Sequence, residues 1–438
     1  MKVRCLILVV ALLVMGALTA VAQLAPDPQQ TMPAARSADH GGRYIVSFRP
    51  GTTPDDRAAV AARAGALLRF NYRVVEAIAV RVPNANALAA LQAQPSVQAI
   101  IPDRPVYAIQ AAGVSGKGKP GPPSAQVTPE GVRRVGGPSS AAAASVAILD
   151  TGIDLTHADL VVEPDRFDAY GGTCQDGNGH GTHVAGIVAA KNNAIDVVGV
   201  APSAKLFCAR VLDNSGSGGD SDVLAGLDWV YNLNSTGGPL RIRVVNMSLG
   251  RDGTVNDNPT LHAAVQKLDT QGVAIVVAAG NDPAKDITQQ IPAGYGEVQA
   301  IASTTAKAGT SSCRSHTQPI DADTASYFTS DGTGVAVSAP GEDQEDIAKS
   351  CFLSSVGILS LKRGGGTTRM SGTSMAAPHV SGVVAVILAA NPSLSGSATI
   401  RQTIRNFAAL IGAAPKHSPA SSYTYDGMQE GIAQLPKP

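Results

Sequence analysis

Hydrophobic and polar positions follow two rhythms along the chain. Between residues 43 and 101 the runs are short. Arg43-Tyr44-Ile45-Val46-Ser47-Phe48 alternates with period two and predicts a strand. Thr53-Pro54 supplies a helix-start signal, and the spacing after it predicts a helix over 55–68. Alternation returns over 77–82, helical spacing over 84–92 and a strand pattern over 97–101. The result is strand-helix-strand-helix-strand, a small self-contained α+β domain over 42–110.

The second rhythm begins at 145. Apolar strands are predicted over 145–149, 204–211, 242–247, 273–279, 298–302 and 335–338. Helices are predicted over 180–191, 222–233 and 258–268, then a long one from Ser374 and a last one over 398–407. Strand and helix in alternation imply an α/β fold, a mostly parallel sheet flanked by helices on both faces, over 126–438. No solenoid repeat is visible.

The segments outside these domains differ in composition. Residues 1–22 read as a signal peptide: Lys2 and Arg4, then an apolar run, then Ala20-Val21-Ala22. No later segment reads as long and apolar enough to span a bilayer. Residues 23–41 are rich in Pro, Gln and Ala and read as a flexible leader. Residues 111–125 are rich in Gly, Pro, Ser and Lys, an exposed linker of the kind proteases cut.

Bulk composition removes several function classes. Hydrophobic residues make up 44% of the 438, enough for a large core, which excludes global disorder. Thirty-four basic residues balance 34 acidic ones, so neither a nucleic-acid surface nor a polybasic membrane patch is supported. Four cysteines remain after the signal peptide: Cys174, Cys208, Cys313 and Cys351. An even count in an exported chain suggests two disulfides, with three pairings open.

Polar residues gather where strands hand over to helices, the place where α/β sheets bind ligands. Four such handovers stand out: Ala147-Ile148-Leu149-Asp150-Thr151-Gly152, Asp176-Gly177-Asn178-Gly179-His180-Gly181-Thr182-His183, Ala278-Ala279-Gly280-Asn281-Asp282 and Ser371-Gly372-Thr373-Ser374-Met375-Ala376. A serine hydroxyl needs a base within reach to act as a nucleophile. Ser374 stands at a predicted helix start, where backbone N–H groups are unpaired and the dipole favours an oxyanion. Behind it Val380, Val383, Val384, Val386, Ile387 and Leu388 predict a buried, rigid helix. His180 titrates in the range a base needs, and Asp150 at a strand end would orient it. The H-x-x-H of His180 and His183 lacks the Glu of a zinc motif, and no third ligand presents itself. The order along the chain also departs from the Ser-acid-His order of lipases and esterases. His183 and His379 read as packing residues, and Ser374 also suits a helix cap.

These four segments, in this order and behind a signal peptide, resemble the signature segments of the subtilisin-like serine proteases over roughly 126–435. Residues 43–108 resemble the family's propeptide. His157 also matches a family position, without assigned chemistry. The resemblance implies a secreted or periplasmic serine endopeptidase with Asp150, His180 and Ser374 as catalytic residues. It implies Asn281 as oxyanion donor and Gly216-Ser217-Gly218 with Ser248-Leu249-Gly250 as the edges that hold a peptide substrate. It further implies that residues 106–111 lie in the groove and that the enzyme cuts itself between about 109 and 126. Asp282 would favour basic side chains at the groove. Two stretches, 306–325 and 342–355, look longer than the family pattern. Each holds one late cysteine, which suggests the pairs Cys313–Cys351 and Cys174–Cys208. No cofactor is required for this chemistry; structural calcium is common in the family, and no ligand set is readable here. The expected partners are polypeptide substrates and the chain's own propeptide as an intramolecular inhibitor, with a monomeric enzyme and neither nucleic acid nor membrane after signal cleavage. The alternative from another class is a catalytically inactive extracellular peptide-binding relative.

Overall fold

The computed structural model describes residues 24–26, 42–110, 124–238, 241–419, 423 and 426–437. The signal peptide expected at 1–22, most of the leader and linker residues 111–123 lie outside them.

The N-terminal domain is an antiparallel sheet of β1 (Arg43–Phe48), β2 (Leu67–Asn71), β3 (Ala77–Arg81) and β4 (Val97–Pro102), in the order β2-β3-β1-β4. Helices α1 (Pro54–Arg63) and α2 (Ala85–Gln92) cover one face. Thr53 and Asn84 cap them by accepting from Asp56 N and Ala87 N. The helix expected over 55–68 stops at Arg63, because Gly65 turns left-handed (φ +71°) and frees the chain for β2. Leu67 and Leu68 are exposed on this edge strand, so no alternation marked it. Both faces of the sheet are covered. Val46, Phe48, Ile78 and Val80 pack with Val60 and Leu91 beneath the helices. Ile45, Tyr72, Ala77 and Ala79 join a core of the large domain that includes Leu212, Val223, Leu224 and Leu227.

The tail β5 (Pro105–Ala108) leads into the large domain. Its sheet holds β6 (Val146–Asp150), β7 (Val162–Asp168), β8 (Leu206–Arg210), β10 (Val244–Met247), β12 (Ala274–Ala278), β13 (Gln299–Thr305) and β14 (Val335–Glu342). The order is β14-β13-β12-β10-β6-β8-β7, parallel throughout, as the alternation implied. Strand β7 was not foreseen: VEPDRFD is polar, half-exposed and contains proline, which suits an edge strand. Short strands β9 (Ser217–Gly219) and β11 (Leu249–Asp252) lie outside this sheet and flank β5.

The helices are α3 (His180–Ala189), α4 (Asp220–Asn234), α5 (Pro259–Gln271), α6 (Thr373–Ala390) and α7 (Ser397–Phe407). Helix α6 is long and apolar enough to cross a membrane, which corrects the expectation that no such segment follows the signal peptide. It packs on α3 and on β12, β13 and β14 as the central core helix. Residues 342–355 form the hairpin of β15 (Gln344–Ile347) and β16 (Phe352–Val356). Leader residues Ala25–Pro26 are not irregular here; they pair in parallel with Phe352 and Leu353. The cysteines pair as Cys174–Cys208 and Cys313–Cys351. The second bridge ties the loop after β13 to the hairpin.

Candidate active site

Asp150, His180, Asn281 and Ser374 come from four segments: Asp150 ends a strand, Asn281 follows one, and His180 and Ser374 open helices, with Asp150 bonded to His180 and Asn281 bonded to the residue before Ser374. Asp150 ends β6 and is fully buried. Its Oδ1 accepts from Thr151 N at 2.7 Å. His180 opens α3, and its Nδ1 meets Asp150 Oδ1 at 2.8 Å and Oδ2 at 2.9 Å. Asp150 can only accept here, so His180 Nδ1–H donates to it, which leaves Nε2 as the neutral ring's acceptor. That Nε2 is buried and has no hydrogen-bond partner among the described residues. Burial alone would lower the His180 pKa. The Asp150 charge, its hydrogen bond and the charge of Asp176 outweigh burial and leave the pKa above 6.5.

Asp176 was quoted in the sequence motif without a role, and the structure gives it one. Its carboxylate accepts from Asn178 N, Gly179 N, Thr182 N and Thr151 Oγ1, at 2.8 to 3.0 Å. It thus shapes the loop that presents His180. A buried acid a few residues before a glycine-rich helix start was the available signal.

Ser374 lies in the first turn of α6, behind Gly372. Its Oγ donates to the Ser248 carbonyl at 2.8 Å and makes no bond to His180. Its own carbonyl accepts from Ser248 Oγ at 2.8 Å. Asn281 follows β12, and its Oδ1 accepts from Thr373 N and Thr373 Oγ1, both at 2.9 Å. Those bonds fix the amide orientation. They leave Nδ2 a buried donor with no partner among the described residues, the condition of an oxyanion site waiting for its charge.

The predicted groove segments face the β5 tail. Strand β5 runs antiparallel between β9 and β11, with Tyr107 opposite Ser217 and Gly250, Val106 opposite Gly218, and Ala108 opposite Leu249. Ala108 N donates to Gly216 O at 2.9 Å and Ile109 N to Ser248 O at 3.2 Å. Ser248 O is thus shared by the Ile109 amide and the Ser374 hydroxyl. Asp282 does not present a lone charge to the groove. Lys285 pairs with it at 2.9 Å and with Asp252 at 2.8 Å. His183 and His379 are fully buried; His183 Nε2 contacts Ile358 O and His379 Nδ1 contacts Met375 O. His157 Nδ1 accepts from Asp159 N.

Among the described residues, no group of three or more His, Cys, Asp or Glu side chains is arranged to hold a metal ion. A different oxygen cluster lies near the start of the large domain. The Gln126 amide nitrogen faces Lys191 O, Asn193 Oδ1, Ile195 O and Val197 O at 2.8 to 3.4 Å. Asp159 stands beside it: its Oδ1 accepts from Asn193 Nδ2 at 2.7 Å, and its Oδ2 is buried with no hydrogen-bond partner among the described residues. Amide oxygen and nitrogen are interchangeable by a flip, which would give this cluster oxygen donors only. Main-chain carbonyls supply half of them, so no sequence motif could have flagged the cluster.

The Peptidase_S8 profile, described as the subtilase family, matches residues 141–428. M-protease of Shouchella clausii (strain KSM-K16) and Subtilisin Savinase of Lederbergia lenta are each 36% identical over 295 residues, 66% of this chain. The match spans just under two thirds of the first (66%) and 94% of the second. Among solved structures, fervidolysin from Fervidobacterium pennivorans, a keratinolytic enzyme related to subtilisin, is similar over 94% of this chain and 63% of its own. The TM-score is 0.64 and the identity 22%, a likeness of fold.

Proposed function

The chain belongs to the subtilase family, and from that premise we propose that it is a secreted serine endopeptidase made as a self-processing zymogen. The carrying observation is a pair of buried, unpartnered groups: the His180 Nε2 acceptor, held from behind by Asp150, and the Asn281 Nδ2 donor, held by Thr373. Ser374 Oγ attacks the scissile carbonyl and His180 Nε2 takes its proton. Asp150 stabilises the imidazolium. Asn281 Nδ2 and the Ser374 backbone N–H receive the oxyanion. His180 then returns the proton to the leaving amine, and water resolves the acyl-enzyme by the same route.

The zymogen reading is supported by β5, which fills the groove as a third strand. The sharing of Ser248 O between Ile109 N and Ser374 Oγ supports a cut at the bond that follows Ile109. Cleavage is expected at Ile109–Gln110. Export is supported by the signal-peptide pattern and by two disulfides, which persist in oxidising compartments. Gln126, Asp159 and Asn193, with the carbonyls of Lys191, Ile195 and Val197, fit a structural calcium ion. It would brace the loop after α3 and take no part in the chemistry.

Intact mass and fluorophosphonate labelling test the reading, wild type beside Ser374→Ala. Wild type should lose everything up to Ile109, react with the label and cut casein. The variant should keep its propeptide and do neither. A wild type that ignores the label would instead favour the inactive peptide-binding relative, for which the strand-filled groove is the supporting observation.

A further inference from the structure

One buried acidic pair has no part in the chemistry above. Glu342 ends β14 and Glu345 lies in β15; both side chains are fully buried. The two carboxyls lie close enough to act on each other, and each has one buried oxygen, Glu342 Oε1 and Glu345 Oε2, that faces no donor of its own among the described residues. Two carboxylates cannot share such a contact unless one holds a proton. The remaining oxygens are occupied. Glu345 Oε1 accepts from Tyr327 N at 2.7 Å, and Glu342 Oε2 accepts from Ser355 Oγ.

From Ser355 the chain of contacts leads to the nucleophile. Ser355 lies opposite Glu345 in the β15–β16 hairpin. Its Oγ meets Ser371 Oγ at 2.7 Å. Ser371 begins the Ser371-Gly372-Thr373-Ser374 segment, and Gly372 N donates to Gly341 O at 3.0 Å, next to Glu342. The nucleophile loop is therefore held from the side of the long hairpin as well as through Asn281.

We propose that Glu342 and Glu345, sharing one proton, are positioning residues that hold the nucleophile loop through Ser355 and Ser371. The inference rests on the serine-protease reading. When the shared proton is lost, two adjacent anions face each other in a fully buried site. The hairpin then relaxes and Ser371 loses its partner. The charges bearing on the pair are each other's and that of Asp343, which is itself tied to Arg369. Around Asp343 stand Lys307 and Glu130. Ser326, which also bonds Glu342, and Ser303 behind it are neutral. Burial, before all else, pushes both carboxyls far above the ordinary carboxylate range. The proton is thus present near neutrality and lost on the alkaline side.

The test uses the mature enzyme and a small peptide amide, with active sites counted by fluorophosphonate. Values of kcat and KM are read separately from about pH 7 to about pH 10. Wild-type kcat should fall across that range at steady KM. Glu345→Gln replaces the shared proton by an amide that donates at every pH. Its ratio of alkaline to neutral kcat should exceed the wild-type ratio about threefold or more. Ser371→Ala should lower kcat about tenfold at all pH values and remove the step. If Glu345→Gln does not fold, Ser355→Ala carries the same expectation as Ser371→Ala. Separately, the infrared difference between wild type and Glu345→Gln near neutrality should contain a protonated-carboxyl band. Coincident kcat profiles, or no such band, would overturn the proposal. Absence of fluorophosphonate reaction in wild type would overturn the protease reading instead, and the infrared band would still report on the proton.

Discussion

A methyl group on Gly181 would sit 2.1 Å from Gly152 O and 3.2 Å from the Asp150 side chain. Only glycine lets α3 press against the end of β6 this closely, and that approach sets the Asp150–His180 contact. The neighbouring roles make sharp predictions. Asn281→Ala removes a fixed oxyanion donor and should lower kcat by about 10²–10³ with little change in KM, a magnitude carried over from relatives in this family. A loss in KM alone would show that the amide binds substrate rather than the transition state. The pH dependence follows from His180. Its pKa is raised despite burial, because Asp150 favours the charged ring, and only the neutral ring accepts the Ser374 proton. kcat/KM should therefore fall with decreasing pH at a midpoint above 6.5, and a profile flat down to about pH 5 would contradict this base. At this scale the sequence was legible for the places of Asp150, His180, Asn281 and Ser374 in the fold, since short motifs mark the ends of strands and the starts of helices where they lie. Asp176, Thr373 and the Glu342–Glu345 pair were not, because their roles exist only through contacts with other segments.

Between elements, the N-terminal domain grips the large one at the start of α4. Asp103, just past β4, accepts from Ser221 N at 2.8 Å and Ser221 Oγ at 2.7 Å, so a carboxylate caps the helix from another domain. Arg43 pairs with Asp103 and Asp222, both at 2.8 Å, and Arg69 with Asp222 at 2.9 Å. Tyr72 OH donates to Ser221 O at 2.9 Å. Asp103→Ala in the Ser374→Ala background should cost the zymogen about 2–3 kcal/mol in urea unfolding, since it removes one of Arg43's two carboxylate partners and the acceptor of both Ser221 N and Ser221 Oγ. An unchanged midpoint would mean that the apolar face around Ile45 and Ala79 carries the grip alone. Every helix and strand expected from the patterning is present, apart from the overrun of α1. What patterning missed includes β2, β7, the groove strands and the β15–β16 hairpin. Each is an edge or a two-to-four-residue pairing, where burial is partial and side chains carry no period.

For the whole molecule, buried ionisable groups set the response to pH. Burial raises the Glu430 pKa to about 8, while Ser338 Oγ donates to the carboxyl. A carboxyl raised in the folded state gives stability that is complete below its ordinary pKa and is lost as pH rises through the folded value. His183 and His379, lowered by burial to about 3 and about 4, oppose this loss while the unfolded histidines still bind protons, an opposition that fades between about pH 6.5 and pH 7.5. The Ser374→Ala protein should therefore lose stability between about pH 6.5 and pH 8, at up to about 1.4 kcal/mol per pH unit for each such carboxyl. Glu430→Gln should flatten that slope; an equal slope would assign it elsewhere. A chelator should lower Tm, and calcium should restore it, if Asp159 and Gln126 hold an ion; Asp159→Asn should blunt both effects. The amino-acid sequence by itself determined the alternation of strand and helix, hence a parallel sheet, and the four motifs at its strand ends, because period and turn chemistry are local properties. Tertiary structure alone decided the register of β5 between β9 and β11, that Ser248 O is shared by Ile109 and Ser374, and that carbonyls from 191 to 197 gather around Gln126. It also decided that two glutamates meet in the dark of the core. Those facts depend on which distant segments become neighbours, and no local pattern encodes the distance between them.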